Sequence, residues 1–181
     1  MKATGIVRRI DDLGRVVIPK EIRRTMRIRE GDPLEIFTDR DGEVIFKKYS
    51  PIGELTGFAA QYAETLHKTC ELSVIICDRD SVVACAGVPK KEYADRTLSQ
   101  ELEAVCEKRS LYARRNGDGK MLAINDGGSH YVLCAMPIIS EGDIVGCVAA
   151  MAPNDADVYP EAVELKLVQT AAGFLGRQME G

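Results

Sequence analysis

Lys20, Arg23, Arg24 and Arg27 follow one another at spacings of three, one and three. Wound at 100° per residue they fall within an arc of about 100°, with Ile22 and Met26 on the opposite side. Arg8, Arg9 and Arg15 flank the bend DDLG just upstream. Clustered guanidinium and ammonium groups suit a polyanion. Duplex DNA rewards them through counterion release, and arginine adds bidentate bonds to guanine edges. The charge balance points the same way. Residues 1–29 hold nine Lys or Arg against three Asp or Glu, a net +6, in a chain of formal net charge -4, so the remainder carries -10. Such asymmetry is expected when one end of a chain meets an anion and the other does not. A solvated helix face is the plain alternative, with Asp11, Asp12 and Glu21 close enough to neutralise some of these cations.

The elements that must hold those cations are short. Residues 1–50 read as TGIVRRI, a turn at DDLG, RVVIP, a brief helix KEIRRTM, DPLEIFT, a turn at DRDG and EVIFKKY, a strand-rich module with one helix. Gly14 and Gly42 stand where the backbone must reach positive φ, and Asp41-Gly42 is a hairpin signal. A module of this size with few large apolar residues buries too small a share of its surface to fold alone, so pairing with a second copy is expected.

Ser50-Pro51 opens a helix, as N-cap and first helical residue. Ile52, Leu55, Ala59, Tyr62 and Leu66 then make one apolar stripe, able to face its own domain or another chain. LSVIIC and SVVACAG read as buried strands joined by DRDS, followed by a helix over 98–109. KMLAI, HYVLCAMPII and IVGCVAAMA complete about five strands. A last helix opens near Pro160 and runs towards Gln178, with Val163, Leu167, Val168, Ala171, Phe174 and Leu175 apolar. Helices at both ends of a mostly antiparallel sheet define an α+β domain over 51–181. Ile52, Leu55, Ala59, Tyr62, Leu66, Leu167, Ala171 and Phe174 are the expected contacts between chains.

Other chemistry is thin. The six cysteines include no C-x-x-C pair and mostly lie in apolar runs, as reduced, buried hydrophobes do. His67 and His130 are too few for a zinc site. No metal, cofactor or catalytic residue is expected. The opening MKATGIVRR lacks an apolar core of signal-peptide length, and no stretch approaches the roughly 20 apolar residues of a membrane span. A cytoplasmic protein without a membrane partner is the expectation.

KATGIVRRIDDLGRVVIPKEIRRTMRIREGDPLEIF resembles the N-terminal DNA-binding domain of the AbrB family of bacterial transition-state regulators, through GIVR, LGRVVIP and IRR in that order and spacing. The resemblance implies a swapped-hairpin β-barrel in which two chains interleave, and it implies that Arg8, Arg15, Arg23 and Arg24 approach DNA. Lys2, Arg9, Lys20 and Arg27 are added as phosphate contacts on electrostatics alone. Residues 51–181 resemble a GAF domain, a sensory fold that commonly pairs between subunits, which implies a homotetramer through the C-terminal helices and an unidentified small-molecule effector. The Asn-Lys, Phe and Asp-Glu pattern of cyclic-nucleotide-binding GAF domains is not apparent. The whole chain resembles regulators of sporulation, implying a sequence-selective transcription regulator, activator or repressor. Two alternatives stay open: an antitoxin-like interaction protein, and a thiol-dependent sulfoxide reductase using Cys77, Cys85, Cys106 or Cys134.

Overall fold

The structure is a computed structural model describing residues 5–180. The chain divides after Tyr49 into two compact units, Met1–Tyr49 and Ser50–Gly181.

In the first unit, α1 (Lys20–Thr25) follows Pro19, whose missing N–H costs nothing at a helix start. Its end is a Schellman arrangement. Ile28 N–H donates to Arg23 O at 2.8 Å and Arg27 N–H to Arg24 O at 3.3 Å, with Arg27 in the left-handed region at φ 53°. β1 (Leu34–Thr38) and β2 (Val44–Lys48) pair antiparallel, Leu34 opposite Lys48 and Thr38 opposite Val44. Lys48 ties this hairpin to the helix end, its Nζ donating to Arg27 O at 2.8 Å. The expected strands GIVRRI and RVVIP are not strands within the single chain. Residues 6–18 form a turn between two extended arms, and no strand is assigned to them.

In the second unit the helix expected from Ser50 begins there but breaks. Ser50 Oγ accepts from Gly53 N–H at 3.1 Å, capping α2 (Pro51–Glu54), and Leu55 separates it from α3 (Thr56–Cys70). β3 (Val74–Cys77), β4 (Val82–Ala86), β5 (Tyr112–Ala113), β6 (His130–Ser140) and β7 (Asp143–Pro153) form one antiparallel sheet in the order β4-β3-β7-β6-β5. Between β4 and β5 lie α4 (Lys90–Tyr93), which the sequence reading missed, and α5 (Gln100–Glu107), shorter than the expected 98–109. KMLAI is not a strand. It meets β6 through an isolated bridge of Leu122 with Tyr131 and a Val132 N–H bond to Met121 O at 2.8 Å, Ile124 bridges Leu98 outside the sheet, and the edge place goes to β5. α6 (Ala162–Gln178) closes the chain, started by a capping box between Glu161 and Glu164.

Both faces of this sheet are covered. Val74 and Ile76 of β3 with Val148, Ala150 and Ala152 of β7 pack under α3 and α6. Ile75, Cys77, Cys147, Ala149 and Met151 face α5 with Tyr93 and Leu98. The alternation follows from the two-residue period of a strand. A register shift between Val132 and Cys134 in β6 puts Leu133 and Cys134 on the same side. Gly176 lets α6 approach the sheet at backbone contact, since a methyl group there would overlap Ile139 O.

Candidate nucleic-acid interface

The bend between Arg9 and Arg15 is organised by Asp11. Its N–H donates to Arg15 O at 3.0 Å and its carbonyl accepts from Gly14 N–H at 3.0 Å. One carboxylate oxygen accepts the N–H groups of Leu13 and Arg15 at 3.0 and 2.8 Å, and the other accepts from Arg15 Nε at 2.8 Å. Those bonds hold the Asp11 carboxyl below its usual range, the Arg15 backbone N–H first and its guanidinium second. Gly14, at φ 73°, closes the loop. It is a three-residue hairpin loop ending in a left-handed glycine, and the geometry sets Arg8 and Arg9 on one arm and Arg15 on the other.

The same loop occurs again. Asp39 N–H donates to Glu43 O, Gly42 N–H to Asp39 O, and the Asp39 carboxylate accepts the N–H groups of Asp41 and Glu43. The residue leaving the first loop is Arg15 and the one leaving the second is Glu43, so only the first carries a cation at its exit. The repeated Asp-x-x-Gly spacing was visible in the sequence and not read as a repeat.

Among the described residues, Arg8, Arg9, Lys20, Arg23 and Arg24 are exposed and no carboxylate pairs with them. Arg23 and Arg24 lie in the last turn of α1, the end that favours cations. Arg15 is the cation that Asp11 pairs, one of the neutralising carboxylates expected from the sequence. Its pair with Asp11 is exposed on both sides, so it is weak and exchangeable. Arg27 departs from the helical arc, because α1 stops at Thr25 and the left-handed turn at Arg27 rotates it away from the 3.6-residue period. Lys2 lies outside the described residues.

The unit holding these cations has almost no interior. Ile6, Val7, Ile10, Leu13, Val16, Val17, Met26, Ile36, Val44, Phe46 and Tyr49 are exposed, Val7 by 88%. Such density of uncovered large apolar groups is characteristic of a surface that meets another chain.

In the second unit the expected contact residues divide. Ile52, Ala59 and Ala171 are fully buried and Leu66 nearly so, inside the domain's own core. That corrects their assignment as contacts between chains, because the centre of the apolar stripe seals the sheet. Leu55, Tyr62 and Leu167 are half-buried, and Phe174 remains 40% exposed. Phe174 packs on Tyr62 at 5.5 Å and on Phe58 at 5.9 Å between ring centroids, which links α3 and α6 through an aromatic set at the rim of the core. Phe58 was not singled out from the sequence, although it precedes Tyr62 by one turn.

Five of the six thiols are buried. Cys77, Cys85, Cys106, Cys134 and Cys147 are buried and unbridged, and Cys70 is exposed. Burial pushes the Cys134 thiol up to about 12 and that of Cys77 upward, the reverse of what a nucleophile needs. Among the described residues no group of His, Cys, Asp and Glu could hold a metal ion, and no helix is long and apolar enough to cross a membrane.

The family described as stage V sporulation protein T C-terminal, transcription factor, matches residues 54–180. Stage V sporulation protein T of Bacillus subtilis is 53% identical over 99% of both chains. The chain belongs to the stage V sporulation protein T family. As a member of that family it is a transcription regulator of sporulation, and the N-terminal unit has its own likenesses. Residues 7–53 match the family of MazE bacterial antitoxins. The N-terminal DNA recognition domain of the Bacillus subtilis transition-state regulator AbrB is 63% identical, covering 28% of this chain and 94% of that one, at a TM-score of 0.25. The cyanobacteriochrome receptor PixJ, a GAF-domain protein, superposes at a TM-score of 0.52 over 72% of this chain and 98% of that one; at 13% identity the likeness is of fold alone.

Proposed function

We propose that this sporulation regulator holds duplex DNA on the arginines of its first unit, as a homodimer whose 6–18 arms pair with those of a second copy in a swapped-hairpin barrel. The observation that carries the reading is the coincidence, in one small unit, of exposed unpaired cations with an uncovered apolar surface. Phosphates attract the first and a second copy covers the second. Arg8, Arg15, Arg23 and Arg24 are the leading contacts, and Arg9 and Lys20 support them at phosphates. The Asp11 pair presents Arg15 in a fixed direction and yields it to a phosphate oxygen.

Association through the rims of α3 and α6, around Phe58, Tyr62 and Phe174, makes the assembly a homotetramer. Two DNA-binding pairs on one assembly raise effective concentration at paired sites without new contacts. The second unit senses a small molecule, works in the cytoplasm and performs no chemistry; its buried, high-pKa thiols support that reading against a sulfoxide reductase.

Arg24→Ala is expected to weaken DNA binding and to flatten the dependence of log K on log salt by about one unit, with the melting profile unchanged. Anisotropy titrations across salt concentrations read both quantities. An unaltered affinity and slope in Arg24→Ala and Arg23→Ala alike would overturn the assignment. Phe174→Asp should halve the sedimenting mass while leaving the fold intact, and an unchanged mass would remove the tetramer interface. The MazE likeness favours one second reading, that the first unit grips a protein toxin. Co-purification of a stoichiometric protein partner in place of DNA would establish it.

A further inference from the structure

A cleft of about 480 Å³ opens in the second unit between α4 and the loop 124–129. Neither the DNA reading nor the oligomer contacts use it. Lys91 and Arg96 stand on one side, Asp126, Gly128 and Ser129 on the other, with the nearly buried Ile124 between them.

The two sides differ in how firmly they are held. The Arg96 backbone is fixed, its carbonyl accepting from Val82 N–H at 2.9 Å at the start of β4 and its N–H donating to Tyr93 O at 3.1 Å. Ser129 is fixed as well. Its N–H and Oγ both donate to Glu92, at 3.0 and 2.7 Å, so the Glu92 carboxylate is committed to holding the loop. Next to Glu92, Tyr93 exchanges hydrogen bonds with the backbone of His130. The exception is Asp126. It is followed by Gly127 and Gly128, both at positive φ, and a side chain at Gly127 would meet open space. Among the described residues its one ion pair is long, 3.5 Å to the Arg96 guanidinium, with both side chains half or more exposed. Among the described residues no carboxylate pairs with Lys91.

A guanidinium on a hydrogen-bonded backbone beside an ammonium that no carboxylate pairs among the described residues, screened by a loosely paired carboxylate that two positive-φ glycines follow, is an anion site with an internal competitor. An incoming carboxylate or phosphate exchanges a weak exposed pair for a charge-assisted, bidentate one, and its apolar portion can rest on Ile124. We infer that the cleft between α4 and the 124–129 loop binds a small organic anion on Arg96 and Lys91, displacing Asp126 from Arg96. This deepens the proposed sensing role of the second unit and rests on it. Binding at the site is measured without DNA, so its failure and a failure of the DNA reading are distinguishable.

The test is calorimetric titration of the full chain with inorganic phosphate and, separately, propionate, at constant ionic strength held by sodium chloride. At least one probe is expected to bind saturably, and the stronger of the two identifies the phosphate or the carboxylate as the headgroup. Arg96→Gln should lose about tenfold or more in affinity, as removal of a charged hydrogen-bonding partner does. Asp126→Asn should tighten binding by about two- to fivefold, the strength of an exposed ion pair. Both substitutions are at exposed side chains, and melting curves confirm that each variant is folded. Absence of saturable binding by either probe overturns the proposal. So does an Asp126→Asn variant that binds no better than the parent chain, because a site for a cation or a dipolar ligand would lose affinity with that carboxylate.

Discussion

The two units solve the problem of burial in opposite ways. In Ser50–Gly181 both faces of a five-stranded sheet are covered by the same chain, and among the described residues only Val158, Tyr159, Val163 and Phe174 remain as large exposed apolar groups. Among the described residues of the first unit eleven such groups are exposed, and its 6–18 arms are not assigned to any strand. A sheet of long strands flanked by helices closes a core by itself. A 49-residue unit with one short hairpin and a six-residue helix does not. The basic residues therefore sit on a unit that leaves most of its large apolar groups uncovered, and in the proposed dimer the DNA surface and the pairing of two chains form together.

The strongest way to break this contrast is to attack each unit's source of stability. Leu175→Ala, a fully buried position of α6, should destabilise the second unit by about 2–5 kcal/mol in denaturant unfolding. The parent chain's first unit should instead show an unfolding midpoint that rises with protein concentration. A midpoint of the first unit independent of concentration would show that one chain suffices for it.

A finer comparison uses the two matching loops. Gly14→Ala and Gly42→Ala both force a methyl group into positive φ and should each cost about 1–2 kcal/mol. Only Gly14→Ala is expected to weaken DNA binding as well, because Arg15 leaves that loop whereas Glu43 leaves the other. Equal effects on DNA affinity would mean that the charge at the loop exit does not matter.

The smallest effect is on pH. His130 is held below its ordinary value of 6.5, by desolvation first. The unfolded chain then binds more protons, so the second unit's stability falls as pH drops through and below that value. The carboxyl of Asp11 is held below 3.8 by the Arg15 bonds. Its loop is thus intact above that value and opens only under stronger acid, when the carboxylate is protonated. Amide resonances of Leu13 and Arg15 that report loop opening above pH 4 would contradict this order.

Much of this was legible in the residues. The nearly continuous apolar runs LSVIIC and IVGCVAAMA marked buried strands, Ser50-Pro51 marked a helix start, and Asp41-Gly42 marked a hairpin, because each is a local rule of backbone geometry. The break at Leu55 was not legible, since nothing in the apolar period interrupts there. Nor was the loss of KMLAI from the sheet, where competition with Tyr112 and Ala113 for the edge of β6 decides the outcome. The arc drawn through Arg27 failed for a related reason: periodicity gives a direction only while the helix continues.

The cleft illustrates the same limit. Lys91, Arg96 and Asp126 are unremarkable in a chain with 29% charged residues, and no spacing joins them. What the residues determined alone was the kind of element at each position and the excess of positive charge at one end, because propensity, turn chemistry and charge are properties of neighbours along the chain. Which apolar faces are sealed, which cations keep a carboxylate and which stand free was decided only by tertiary structure. Those outcomes depend on groups far apart in sequence reaching hydrogen-bonding or van der Waals distance, and on whether one chain supplies enough surface to cover itself.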